Sequence, residues 1–184
     1  MIKIVALYDA NVLYPAPLRD LLIQLAFDEL IQARLTNTIH DEWIRNVIKN
    51  RPDLSLTRLQ NVAKLMNDSI EGILIRGFEH LIEGLTLPDP DDRHVLAAAI
   101  HGQVDVIVTN NQKDFPIKTL EPYGLSTQSA DDFVTGLLEV NDKAVREVIA
   151  TIQRRLRKPS LTMLEYFTTL EMVGLHKTVK VLRN

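Results

Sequence analysis

LPDPDDRHVLAAAIHGQVDVIVTNNQKDFP, residues 87–116, is the stretch whose reading decides the fold. It holds, in order, a helix with both ends marked, a strand and a polar turn. Asp89 is a good N-cap, Pro90 fits the first helical position, and Asp92 falls at the third, where an acid favours the helix dipole. The alanine-rich run that follows is closed by Gly102. VDVIVT, 104–109, is nearly all β-branched or apolar, which predicts a strand buried on both faces. NNQKDFP then reads as a turn.

The same pattern extends in both directions. IKIVALY, 2–8, is a second buried strand, and it stops at Asp9. Leu18, Leu21, Leu22, Leu25, Ala26 and Leu30 share one stripe and predict a helix over 18–33. LTNTI, 35–39, reads as a short strand. Residues 40–50 read as a helix broken at Arg51-Pro52, and 56–70 as another. The stretch 71–87 reads as either a short strand or a helical turn. LSTQ, 125–128, is an edge strand, and Ser129 caps the helix that follows. Residues 142–184 are a pair or trio of helices interrupted by Pro159, with a capping box at Thr162 and Glu165 and a stop at Gly174. Alternating strands and helices predict an α/β fold: a central parallel sheet in three α/β/α layers over 1–140, then a C-terminal helical extension over 141–184.

Composition narrows the chemistry. The 184 residues contain no cysteine, which excludes disulfides, thiolate catalysis and zinc–cysteine sites. The reducing cytoplasm is the compartment this favours. No apolar run is long enough to span a bilayer, and the N-terminus reads as a strand, not a signal peptide. There is no GxxxxGK[ST] or GxGxxG loop to cradle phosphates. The five histidines are scattered without zinc-type spacing and read as surface or core residues, and Trp43 reads as core. The net charge of −3 is unevenly spread. Residues 142–184 carry nine basic and four acidic residues, a net +5; the remaining twelve basic and twenty acidic residues give −8.

The acids of the body fall where an open parallel sheet binds ligands, at the carboxyl ends of its strands. Asp9 ends the first strand. Thr109, Asn110, Asn111 and Asp114 follow the 104–109 strand. Glu42 lies in the first turn of the helix after the 35–39 strand, and Asp91 and Asp92 open the helix feeding the 104–109 strand. Carboxylates brought together repel one another unless a cation neutralises them. An oxygen-only donor set suits a hard divalent ion, Mg²⁺ or Mn²⁺, able to activate water and clamp a phosphoryl oxygen. Phosphodiester hydrolysis is the reading that follows. Each of these residues also has a structural role open to it: helix cap, dipole partner or turn former. Asp9 is the hardest to explain that way, since an acid ending a buried strand needs a partner or a function.

Three ordered blocks resemble the PIN-domain family, the fold of VapC-type toxin ribonucleases: YDANVL with Asp9, HDEWIRNV with Glu42, and the 87–116 stretch with Asp92, Thr109, Asn111 and Asp114. The third is the most specific, and the blocks together span about residues 3–135. The resemblance implies a PIN-like fold and a Mg²⁺- or Mn²⁺-dependent endoribonuclease, the toxin of a toxin–antitoxin pair. Asp9, Glu42 and Asp92 match the three acids that hold the metal in such proteins, and Asp114 matches a fourth. Asn111 stands where the family has Asp or Asn and is in reach of a metal-bound water; Asp91 adjoins the motif acid. Asn11 and Thr109 match residues that orient those acids. An RNA substrate and an antitoxin are the partners implied, and dimers are common among similar proteins.

Arg154, Arg155, Arg157 and Lys158 give the extension a basic cluster suited to nucleic-acid phosphates, although no interleaved aromatics form a stacking platform. Three other readings remain beside the leading one. A housekeeping nuclease of the same fold would act on RNA or DNA. A haloacid-dehalogenase-like phosphohydrolase would use Asp9 as nucleophile, but Asn11 replaces its second acid. A non-catalytic binding module would have no use for the full set of motif acids.

Overall fold

Val5–Tyr8, which the sequence makes wholly apolar, forms β1, and the rest of the sheet assembles around it. The computed structural model describes residues 3–184. After β1 come α1 (Ala10–Leu13), α2 (Ala16–Phe27), β2 (Gln32–Arg34), α3 (Asn37–Asn50), α4 (Leu56–Ser69), α5 (Arg93–His101), β3 (Val106–Val108), α6 (Ile117–Leu120), β4 (Ser126–Gln128), α7 (Ala130–Arg155), α8 (Met163–Met172) and α9 (His176–Leu182). The sheet is parallel throughout, in the order β2-β1-β3-β4. Ala6 lies opposite Ala33 on one side and Val106 on the other, and Ile107 opposite Thr127. The expected α/β architecture with a helical C-terminal region is the one observed. The chain propagates from β1 to β2, then returns across β1 to place β3 on its far side. The gap between β1 and β3 is therefore the topological switch point, where sheets of this kind hold ligands.

Helices pack around this sheet: α2, α7 and α8 contact one another, α9 lies on α7, and α1 packs on α3 and α3 on α4. Tyr8, Trp43, Phe115 and Tyr166 are the largest buried side chains. None of the described helices is long and apolar enough to cross a membrane.

Several boundaries differ from the sequence reading, for identifiable reasons. The helix expected over 18–33 stops at Phe27, because Asp28 and Glu29 (φ 59°) turn the chain into β2. The strand expected over 35–39 lies three residues earlier, at Gln32–Arg34, because Thr36 is an N-cap: its side chain accepts the Ile39 N–H and α3 starts at Asn37. Glu42 consequently sits in the second turn of α3, not the first. The stretch 71–87 holds both of the alternatives, a one-residue bridge from Leu74 to Leu35 and a 3₁₀ turn at Glu79–Gly84. Asp89 caps a 3₁₀ turn, Pro90–Asp92, that runs directly into α5. The boundary expected after residue 140 falls within α7, at a break where Asn141 leaves helical geometry (φ −149°, ψ 65°).

Candidate metal centre

Asp9 is positioned by being the last residue before α1, where β1 ends. It is 5% exposed, and three donors converge on it. Its Oδ1 accepts the Ala10 N–H at 2.7 Å; its Oδ2 accepts the Thr109 hydroxyl at 2.7 Å and the Asn11 amide at 2.5 Å. Both lone pairs of Oδ2 are thus used, which leaves one on Oδ1. Burial pushes the Asp9 carboxyl above its ordinary range, against these hydrogen bonds, and the charge of Glu42 adds to the upward push.

Asn11 and Thr109 bind β1 to β3 at this point. The Asn11 amide also donates to Thr109 Oγ1 at 2.9 Å, and its Oδ1 accepts the Asn110 N–H at 3.0 Å. Thr109 Oγ1 accepts the Asn111 N–H at 3.0 Å as well. The Asn110 side chain accepts the Ala130 N–H at 3.2 Å, which carries the network to the start of α7. The Asn111 side chain donates to Asp114 Oδ2, leaving its own carbonyl oxygen as the atom able to face a ligand.

Carboxylate oxygens of Asp89, Asp92 and Asp114 lie within 4.8 Å of one another. Asp92 is partly buried at the start of α5, and burial together with the charges of Asp9, Asp89, Asp114 and Glu42 pushes its pKa up to about 7. Five acids from four segments therefore converge on one place, as the sequence reading requires of Asp9, Glu42, Asp92 and Asp114. Asp89, which that reading treated only as a cap, is the fifth. Its Oδ1 caps the turn through the Asp91 N–H at 2.9 Å, and one of its carboxylate oxygens lies within 4.8 Å of those of Asp92 and Asp114. The capping signature concealed it, since one carboxylate does both jobs. Asp91 is exposed and lies outside this group.

Glu42 reaches the cluster because Ile39, Trp43 and Val47 anchor one face of α3 in the core, and Glu42 lies at the margin of that face. His94 Nε2 is 3.0 Å from its Oε1. His94 is 8% exposed, buried as the reading of the histidines as surface or core allows, and its ring is bonded to a site acid, which that reading does not anticipate. The visible signal was a lone polar ring heading the apolar run VLAAA.

The basic cluster lies elsewhere. Arg155 donates to Gln24 at 2.8 Å, in the last turns of α2, near the end of α2 remote from the Asp9 loop. Arg154, Arg155, Arg157 and Lys158 are exposed, and the structure does not bring them to the acids.

The donor set fits a hard divalent cation. It offers only oxygen, burial and the facing carboxylates together raise the Asp92 pKa to about 7, and three of its acids bring carboxylate oxygens within 4.8 Å of one another. A buried carboxylate such as Asp9, held by three hydrogen bonds with one lone pair left free, supplies a rigid anchor on one side.

A parallel sheet carrying acids from four segments at its switch point suits a metal-dependent hydrolase. The chain belongs to the PIN-domain family, whose model matches residues 5–113. Residues 130–184 match a second family model, the VapC50 C-terminal domain. The chain is 45% identical over 58 residues to a protein of Mycobacterium tuberculosis (strain ATCC 25618 / H37Rv) named "Putative ribonuclease VapC50"; the match covers 32% of this chain and 34% of that protein. The chain thus spans about a third of the length of the curated relative it matches. No solved structure matches it.

Proposed function

We propose that this protein is a VapC-like, Mg²⁺- or Mn²⁺-dependent endoribonuclease, the toxin of a toxin–antitoxin pair, acting in the cytoplasm on RNA. The observation that carries the reading is the convergence of Asp9, Glu42, Asp89, Asp92 and Asp114 near the β1–β3 switch point, where burial and the neighbouring acids raise the Asp92 pKa. Membership of the PIN family and the name of the mycobacterial relative support the nuclease class and the toxin role.

Asp9, Glu42, Asp92 and Asp114 are the residues that would hold the ion, with Asp89 and the Asn111 carbonyl oxygen beside them. The bound ion supplies an acidified water and a positive charge against a phosphoryl oxygen. Asp9 holds its place through Thr109, Asn11 and the Ala10 amide, so its one free lone pair has a fixed direction. Asp92, whose carboxyl is pushed up by burial and by its acidic neighbours when no cation is present, would release its proton as the cation binds, so binding should tighten as pH rises towards about 7.

Labelled single-stranded RNA incubated with Mn²⁺, Mg²⁺ or EDTA tests the proposal. Cleavage is expected with either metal, to be absent in EDTA, and to fall by at least about 100-fold in Asp9→Asn and Asp92→Asn. Cleavage that persists in EDTA or in both variants overturns the metal centre. Cleavage of DNA in preference to RNA overturns the ribonuclease assignment.

A further inference from the structure

Among the described residues, the Glu42 carboxylate has one hydrogen-bond partner, His94. A carboxylate only accepts, so Nε2 of the imidazole carries the proton between them. The other ring nitrogen, Nδ1, is buried and has no partner. Whether or not it carries a proton, an unmet buried polar atom costs about 1–3 kcal/mol. A leucine would fill the same space without that cost, so packing does not account for an imidazole here. What accounts for it is the bond made by Nε2. Glu42 has three side-chain torsions and lies in the repulsive field of Asp9 and Asp92. Left alone, it gains by swinging outward to solvent. The 3.0 Å bond from His94, itself fixed in the first turn of α5 two residues after Asp92, opposes that motion.

We propose that His94 is a positioning residue that holds the Glu42 carboxylate in the acid cluster, so that the cluster is preorganised for its cation. The inference rests on the metal-centre reading above, and it adds a device linking α5 to α3: one helix start supplies Asp92 as a ligand and His94 as the brace for another.

Titration of the full-length chain with MnCl₂, followed by calorimetry and by the electron paramagnetic resonance of free Mn²⁺, tests it without reference to activity. His94→Leu weakens Mn²⁺ binding by about 10–100-fold, the range for losing a hydrogen bond that orients a ligand. His94→Gln, whose terminal amide reaches the position of Nε2, stays within about threefold of the wild type, while His94→Asn, with a shorter reach, behaves like the leucine variant. In a Glu42→Ala background, His94→Leu changes affinity by less than about twofold, because there is nothing left to position. Wild-type affinity in a folded His94→Leu, failure of Gln to rescue, or an undiminished effect in the Glu42→Ala background each overturns the proposal. A wild-type chain whose Mn²⁺ affinity is untouched by Asp92→Asn overturns instead the metal centre on which it stands.

Discussion

The Asp92 carboxyl is half-buried and faces Asp9, Asp89, Asp114 and Glu42, and its pKa of about 7 measures what that arrangement costs without a cation. The folded chain binds this proton more tightly than the unfolded chain, so folding stability from this group is complete below about pH 4 and is lost as pH rises to about 7. Asparagine mimics the protonated acid and escapes the loss. In EDTA, Asp92→Asn is therefore expected to gain about 1–2 kcal/mol over the wild type between pH 5 and pH 8, once solvent screening of a partly exposed group is allowed for. Urea midpoints at the two pH values measure it, and a difference that does not change with pH refutes it. The residues themselves were unequally legible. Asp9 stands out because an acid ends a wholly apolar strand. Asp92 and Asp114 stand out by their place after a helix start and a strand end. Asp89 and His94 do not, since capping and core packing explain their types equally well until the fold brings α3 beside α5.

Elements are legible where local chemistry is decisive. The capping box at Thr162 and Glu165 forms as expected, with both reciprocal bonds, and Ser129 and Gly174 mark the ends predicted for them. β2 was misplaced because its three residues, Gln32–Arg34, carry no strong strand signal; pairing with β1 and the cap at Thr36 decide its position, and both are properties of the assembled sheet. The attachment of α9 is also invisible locally. Asp131, in the first turn of α7, accepts the N–H groups of Lys177 and Thr178 at 2.8 Å each, capping a helix 45 residues away. Asp131→Ala is expected to cost about 1–2 kcal/mol, the range of a lost N-cap, seen as a lower urea midpoint at unchanged slope. The exposed Lys177–Asp132 ion pair beside it contributes little, and Lys177→Ala should leave the midpoint nearly unchanged. A larger loss for Lys177→Ala than for Asp131→Ala would reverse this ranking.

At the scale of the molecule, the uneven charge of the sequence becomes a division in space. The acids collect at the carboxyl edge of the sheet, whereas Arg154 and Arg155 end α7 and Arg157 and Lys158 follow it, with Arg155 tied to Gln24. If these cations serve RNA, they serve a strand long enough to reach past the site. Replacing Arg154, Arg155 and Arg157 with glutamine is expected to leave cleavage of a short oligonucleotide unchanged, to weaken binding of a long RNA, and to lower its salt slope by up to about one unit per lost phosphate contact. An identical slope for the long RNA assigns the cluster to structure or to a protein partner such as an antitoxin. The order β2-β1-β3-β4 has one more consequence. The five acids are drawn from residues 9 to 114, and the strands that carry the outermost of them are neighbours only through that order. No short peptide cut from this chain contains the centre in miniature. A single protease nick in the exposed turn between Asn50 and Leu56 leaves Asp9 and Glu42 on one piece and Asp92 and Asp114 on the other, and the centre then survives only as long as the pieces stay associated.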